Sequence, residues 1–242
     1  MDPLPYQRSP DNPSLLARIT GVARRPRYTF SAVVARPRWA GLLATLTVAS
    51  FATAAALLST EVGRQALVDQ WERTALAFGR PVDAAAYAEM QDLSRYAVPY
   101  AASTAVARGP FAALALAALL YGVFTARGAR ASFRQVLAVV VHASVILTLR
   151  DVIAAPISYV RESIASPVTL VTFLGTLDEA SPFARFFALI DLFVVWWMVV
   201  LGIGLAVLYR MERGKLIMAL LGAYVGVAVV LAGSMALLRG NS

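Results

Sequence analysis

From Trp39 to Leu58 the chain reads WAGLLATLTVASFATAAALL, without a single charge, and this run decides most of what the protein can fold into. The hydrocarbon core of a bilayer is about 30 Å thick, and about 20 residues of helix cross it at about 1.5 Å each. Within it every backbone N–H and C=O must be satisfied internally, so an apolar run of this length reads as a helix through a membrane. Pro110 to Ala126 (PFAALALAALLYGVFTA), Phe186 to Leu208 and Leu216 to Leu238 have the same character. Proline suits the start of the second run, because the first helical position needs no N–H donor. A further candidate, Gln135 to Ile157, is interrupted by Arg150 and Asp151 and has Pro156 at its end or at a kink. Pro167 to Leu177 is too short to cross and reads as an interfacial or re-entrant piece.

The expectation is an all-α polytopic bundle of five transmembrane helices, at about 39–58, 110–126, 135–157, 186–208 and 216–238. Composition agrees: 59% of the residues are hydrophobic and 15% charged, against about 45–50% and 25% in soluble domains. A formal charge of +8 alone would suit a nucleic-acid binder, but a mean hydropathy of +0.67 does not. The absence of cysteine and the single histidine, His142, exclude thiolate and two-histidine metal sites, cysteine nucleophiles and the HExxH proteases. No catalytic, cofactor-binding or metal site is expected.

Cationic residues then orient the bundle, because Lys and Arg in short loops stay on the cytoplasmic side. Residues 1–38 hold seven Arg against two acids, and the 59–109 loop five Arg against six acids. The 127–134 turn carries three Arg and no acid, the 150–185 loop three Arg against four acids, and the 209–215 turn three cations against Glu212. This alternation places the N-terminus in the cytoplasm and the C-terminus outside. Residues 1–27, with four prolines among the first fourteen, read as a disordered, Pro-rich, basic cytoplasmic tail ahead of a membrane domain at 28–240. In the outer loop, Leu67, Trp71, Thr74, Ala75 and Phe78 recur at helical spacing and predict an amphipathic helix.

Within the spans, Arg150, Asp151 and Asp191 require an explanation, since such a group at a helix centre costs about 2.5–3.5 kcal/mol on insertion scales. Arg150 lies seven residues before Ile157 and Asp191 five after Phe186, which puts them about 10 Å and 7 Å below the outer surface. The shared level predicts an Arg150–Asp191 pair, with Asp151 as alternate partner or facing outer water. The pair is either a structural clasp or part of a relay with His142, which lies about 12 Å deeper. Gly202 and Gly204 in the fourth span, and the GxxxG of Gly222 and Gly226 in the fifth, mark faces for close helix approach.

The run FRQVLAVVVHAS (Phe133 to Ser144), the later SPFARFFALIDLFVVWWMVVLGIGL (Ser181 to Leu205) and the VVARPR entry (Val33 to Arg38) resemble bacterial members of the Ypt-interacting protein one (Yip-one) membrane family. The resemblance covers about 28–238. It implies a five-helix membrane protein with a cytosolic N-terminus and no catalytic residues. Eukaryotic relatives bind prenylated small GTPases, but this chain lacks their Asp-Leu-Tyr-Gly-Pro motif, so small GTPase binding is not expected here. Some bacterial relatives are similar to accessory subunits of ABC-type exporters. The 21 Arg against one Lys suggest a GC-rich bacterial genome and hence the cytoplasmic membrane. The expected role is a non-enzymatic scaffold or accessory partner in the lipid bilayer. The alternative is a small transporter or transporter subunit using Arg150, Asp151 and Asp191.

Overall fold

The structure, a computed structural model, describes residues 14–164, 169, 187 and 190–240, with side chains to residue 234. Five segments are long and apolar enough to cross a membrane: Ala40–Leu58, Ala84–Ala126, Phe133–Val160, Leu192–Tyr209 and Arg213–Ser234. The chain is an all-α, multi-pass membrane protein. The Pro167–Leu177 piece lies outside the described residues, apart from Thr169, which bridges to Asp191.

The third crossing is the axis of the bundle. It consists of α7 (Phe133–Ala143) and α8 (Val145–Val160). Every residue of α7 from Val136 to Ala143 is buried, as expected of a helix that is apolar on all sides and enclosed by others. Its start is set by a capping box: Ser132 Oγ accepts from the Gln135 backbone N–H at 3.3 Å, and Gln135 Oε1 accepts from the Ser132 N–H at 2.9 Å. The break between α7 and α8 falls at Ser144, whose hydroxyl donates to the Val140 carbonyl at 3.0 Å, a back-bond that bends helices. Pro156, expected at the end or at a kink, lies inside α8.

Two further helices correct the expected tail. Ser14 caps α1 (Leu15–Arg24), its Oγ accepting from the Ala17 N–H at 3.2 Å, and Pro26 begins α2 (Pro26–Ala35). Val22, Thr29, Phe30 and Val33 are buried, and Gln135 Nε2 donates to the Val34 carbonyl at 3.2 Å. Residues 14–27 are therefore folded against the bundle. Their arginines obscure a short apolar stripe that burial rewards. Residues 1–13 lie outside the described part.

The first crossing, α3 (Ala40–Leu58), leads directly into the amphipathic α4 (Glu61–Ala77). Gly63 makes this corner possible, because a Cβ there would fall on the Leu57 carbonyl. Leu67 and Trp71 of α4 pack with Leu58, Ala97 and Ala101, and Trp71 meets Tyr100 edge-on at 5.6 Å. The predicted apolar stripe thus closes over its own bundle, although Phe78 remains 48% exposed. An exposed α5 (Ala84–Leu93) and a short 3₁₀ turn, Ser94–Tyr96, lead into α6 (Ala97–Ala126). This second crossing starts thirteen residues before the expected Pro110, which sits inside the helix and leaves the Val106 carbonyl without its usual donor.

The fourth crossing is α9 (Leu192–Tyr209) and the fifth α10 (Arg213–Gly240). Expected starts at Phe186 and Leu216 are thus corrected to Leu192 and Arg213; Phe186 itself is outside the described residues. Asp191 is the N-cap of α9 and not a residue five positions inside it.

Candidate functional site

The polar centre of the bundle is assembled at the N-terminus of α9. Asp191 Oδ1 accepts from the backbone N–H groups of Phe193 at 2.7 Å and Val194 at 3.3 Å, satisfying donors that a helix start leaves without partners. Its second oxygen, Oδ2, lies 3.4 Å from Arg150 Nη1 on α8. Arg150 also donates through Nε and Nη2 to Asp151 Oδ1, at 3.2 and 3.0 Å. The guanidinium therefore lies between two carboxylates. Asp191 is 6% exposed, a burial that an ionised group tolerates only when paired and hydrogen-bonded.

Two groups not singled out from the sequence complete this knot. The Tyr224 hydroxyl of α10 accepts from the Asp191 backbone N–H at 3.1 Å, and Ser50 Oγ of α3 donates to Asp151 Oδ2 at 3.5 Å. Serine and tyrosine within apolar spans carry no signal in isolation, so only the fold reveals them. Four helices, α3, α8, α9 and α10, meet here. Ser50 lies near the middle of α3, whereas Asp191 stands at the start of α9.

His142 is not part of the knot. It is fully buried in α7, and its Nδ1 contacts the Ala138 carbonyl of its own helix at 2.7 Å. Its Nε2 is buried with no partner among the described residues. The glycines divide into two pairs. A Cβ on Gly204 would lie 2.7 Å from Val139 Cγ1 and 2.9 Å from Phe30 Cε1, and one on Gly202 2.7 Å from Ile217 Cγ1. These two let α9 approach α2, α7 and α10. Gly222 and Gly226 meet nothing within 4 Å among the described residues.

Arg150 and Asp151 also line a cavity of about 630 Å³ bounded by α3, α6, α7, α8 and α9. Arg108 of α6 lines it too, and carries no ion pair among the described residues. Read from the sequence, Arg108 is one of the loop cations, because proline suits the first position of a helix and Pro110 marks the expected start of the span. With α6 running from Ala97, Arg108 belongs to a helix interior beside Gly109, where α6 approaches Thr47 of α3. The arrangement offers ion pairing, helix locking and a polar recess, with no nucleophile–base constellation among the described residues.

A family model described as the Yip1 domain matches residues 20–235. No curated protein and no solved structure matches the chain.

Proposed function

The chain belongs to the Yip1 domain family, and from that premise we propose that it acts as a non-enzymatic scaffold or accessory partner of another membrane complex. Its place is the bacterial cytoplasmic membrane, with the N-terminus in the cytoplasm and the C-terminus outside. The observation that carries the scaffold reading is the use made of Asp191. One of its oxygens caps α9 and the other meets Arg150. A carboxylate committed in this way ties the start of α9 to α8 and so fixes helix register. His142 bonds within its own helix, and a proton pathway requires a chain of such groups through the membrane.

Affinity purification from native membranes in mild detergent, read by mass spectrometry, tests this proposal. A stoichiometric membrane partner, such as an ABC-type exporter, is expected. Recovery of the chain alone at full yield counts against the accessory role.

The cavity beside Arg150 and Asp151 favours a second reading, a small transporter or transporter subunit. Flux in liposomes separates the two. Transport predicts proton or solute movement that Asp191→Asn and His142→Ala reduce, whereas the scaffold predicts none.

A further inference from the structure

The end of the bundle where α3 and α7 begin carries charge that its own elements do not neutralise. Between Asp11 and Glu61, and again between Asp92 and Asp151, the sequence holds no acid. These two stretches supply α1, α2, α3, α6 and α7, and across 14–58 and 97–143 they place ten arginines against no carboxylate. Glu212, in the turn between α9 and α10, is engaged by Lys215 at 3.0 Å. The counter-charge for the arginines must come from outside these helices.

Two of the ten share one recess. Arg38, just ahead of α3, and Arg134, in the first turn of α7, line a cavity of about 540 Å³. Both are exposed, and neither forms an ion pair among the described residues. Neither serves its own helix, because the positive end of a helix dipole disfavours a cation at the start and favours an anion. The start of α3 also has no side-chain cap. The rest of the wall is aromatic and apolar. Trp39 and Phe133 accompany the arginines, with Leu114 and Leu137 as the aliphatic lining. Leu114 is 41% exposed on a helix that crosses the membrane, whereas Leu137 is 2% exposed and closes the cavity against the core. A Cβ on Gly41, another lining residue, would meet nothing within 4 Å, so the space over the start of α3 is open.

We propose that this cavity seats one anionic phospholipid, its phosphate at Arg38 and Arg134 and the first carbons of an acyl chain along Leu114 and Leu137. A soluble anion would use the arginines and leave the apolar wall wet, whereas a lipid uses both. Trp39 suits the same occupant, since tryptophan is enriched at headgroup level. The volume lies within the about 300–1,000 Å³ of small-molecule sites, enough for a head and the top of a chain whose remainder stays in the bilayer. The site goes beyond the scaffold reading and does not rest on it.

Native mass spectrometry of the full chain in mild detergent, titrated with phosphatidylglycerol, phosphatidylcholine of matched chains, or glycerol phosphate, tests the proposal. One phosphatidylglycerol should remain bound, with phosphatidylcholine weaker by about tenfold, equivalent to about 1.4 kcal/mol. Arg38→Gln and Arg134→Gln should each lower phosphatidylglycerol binding by about fivefold, the effect of about one cation near a lipid surface. Arg127→Gln removes the same charge from an exposed position at the same end that does not line the cavity, and should have much less effect. Gly41→Leu removes no charge, fills the open space and improves helix propensity; it should abolish binding without lowering the melting temperature. An equal loss in Arg127→Gln and Arg134→Gln would assign the binding to diffuse surface charge and overturn the proposal. Binding unchanged in either arginine variant or in Gly41→Leu, equal binding of the two lipids, or glycerol phosphate held as tightly as the lipid would each overturn it as well.

Discussion

At the scale of single residues, Asp191 performs two tasks that substitution can separate. Asparagine is as good an N-cap as aspartate, so Asp191→Asn keeps the hydrogen bonds to Phe193 and Val194 and removes only the charge facing Arg150. Breaking a fully buried pair costs about 3–5 kcal/mol; with the Arg150 side chain 33% exposed, water screens part of the loss, and about 2 kcal/mol is expected. Asp191→Ala also removes the cap and should cost about 1 kcal/mol more. Thermal unfolding in detergent should rank the proteins wild type, Asn, Ala, and equal melting of the two variants would show that the cap contributes nothing. The pairing of Arg150 with Asp191 was legible because helical rise is constant, so two ionisable residues at similar distances from span ends share a level. The place of Asp191 in its helix was not, since α9 starts at Leu192 and apolarity alone does not mark where a helix begins. Ser50, Tyr224 and Arg108 were hidden for a different reason: their roles depend on which helix faces which, and that is a property of packing.

At the scale of helices, the two glycine pairs make opposite predictions. Gly204 lets α9 sit against Val139 and Phe30, so Gly204→Ala forces atoms into a filled space, and overpacking of this kind costs about 1–3 kcal/mol. Gly222 faces no atom within 4 Å among the described residues, and Gly222→Ala should be neutral or stabilising by up to about 1 kcal/mol through helix propensity. Melting temperatures of the two variants, measured side by side in one detergent, check both; a loss at Gly222 equal to that at Gly204 would show that α10 packs closely there. Gly63→Ala should also destabilise, because its Cβ meets the Leu57 backbone, which cannot yield as a side chain can. Apolar length alone revealed the spans, since five segments among the described residues are long and apolar enough to cross a bilayer. It revealed α1 and α2 poorly. Each of these has only 10 residues, is flanked by arginines, and is marginal until tertiary burial of Val22, Phe30 and Val33 holds it.

At the scale of the whole molecule, the charge alternation and the fold together make a claim about which way the bundle faces. The turns joining α6 to α7 and α9 to α10 lie at one end of the antiparallel bundle, and both are basic: Arg127, Arg130 and Arg134 in one, Arg210, Arg213 and Lys215 in the other. The α4–α5 segment, at the opposite end of α3 and α6, mixes both signs. Retention of Lys and Arg on the cytoplasmic side then puts the basic turns inside and α4–α5 outside. The chain has no cysteine, so each introduced thiol is the sole target of a maleimide. Ala85, Arg130 and Met211 are exposed and serve as positions for Ala85→Cys, Arg130→Cys and Met211→Cys. A membrane-impermeant maleimide added to intact cells should label Ala85→Cys alone, and permeabilisation should expose the other two. Labelling of Arg130→Cys and Met211→Cys with Ala85→Cys protected would invert the bundle. Labelling of Arg130→Cys without Met211→Cys would require a different number of crossings between the two turns, and the five-span arrangement would then be wrong.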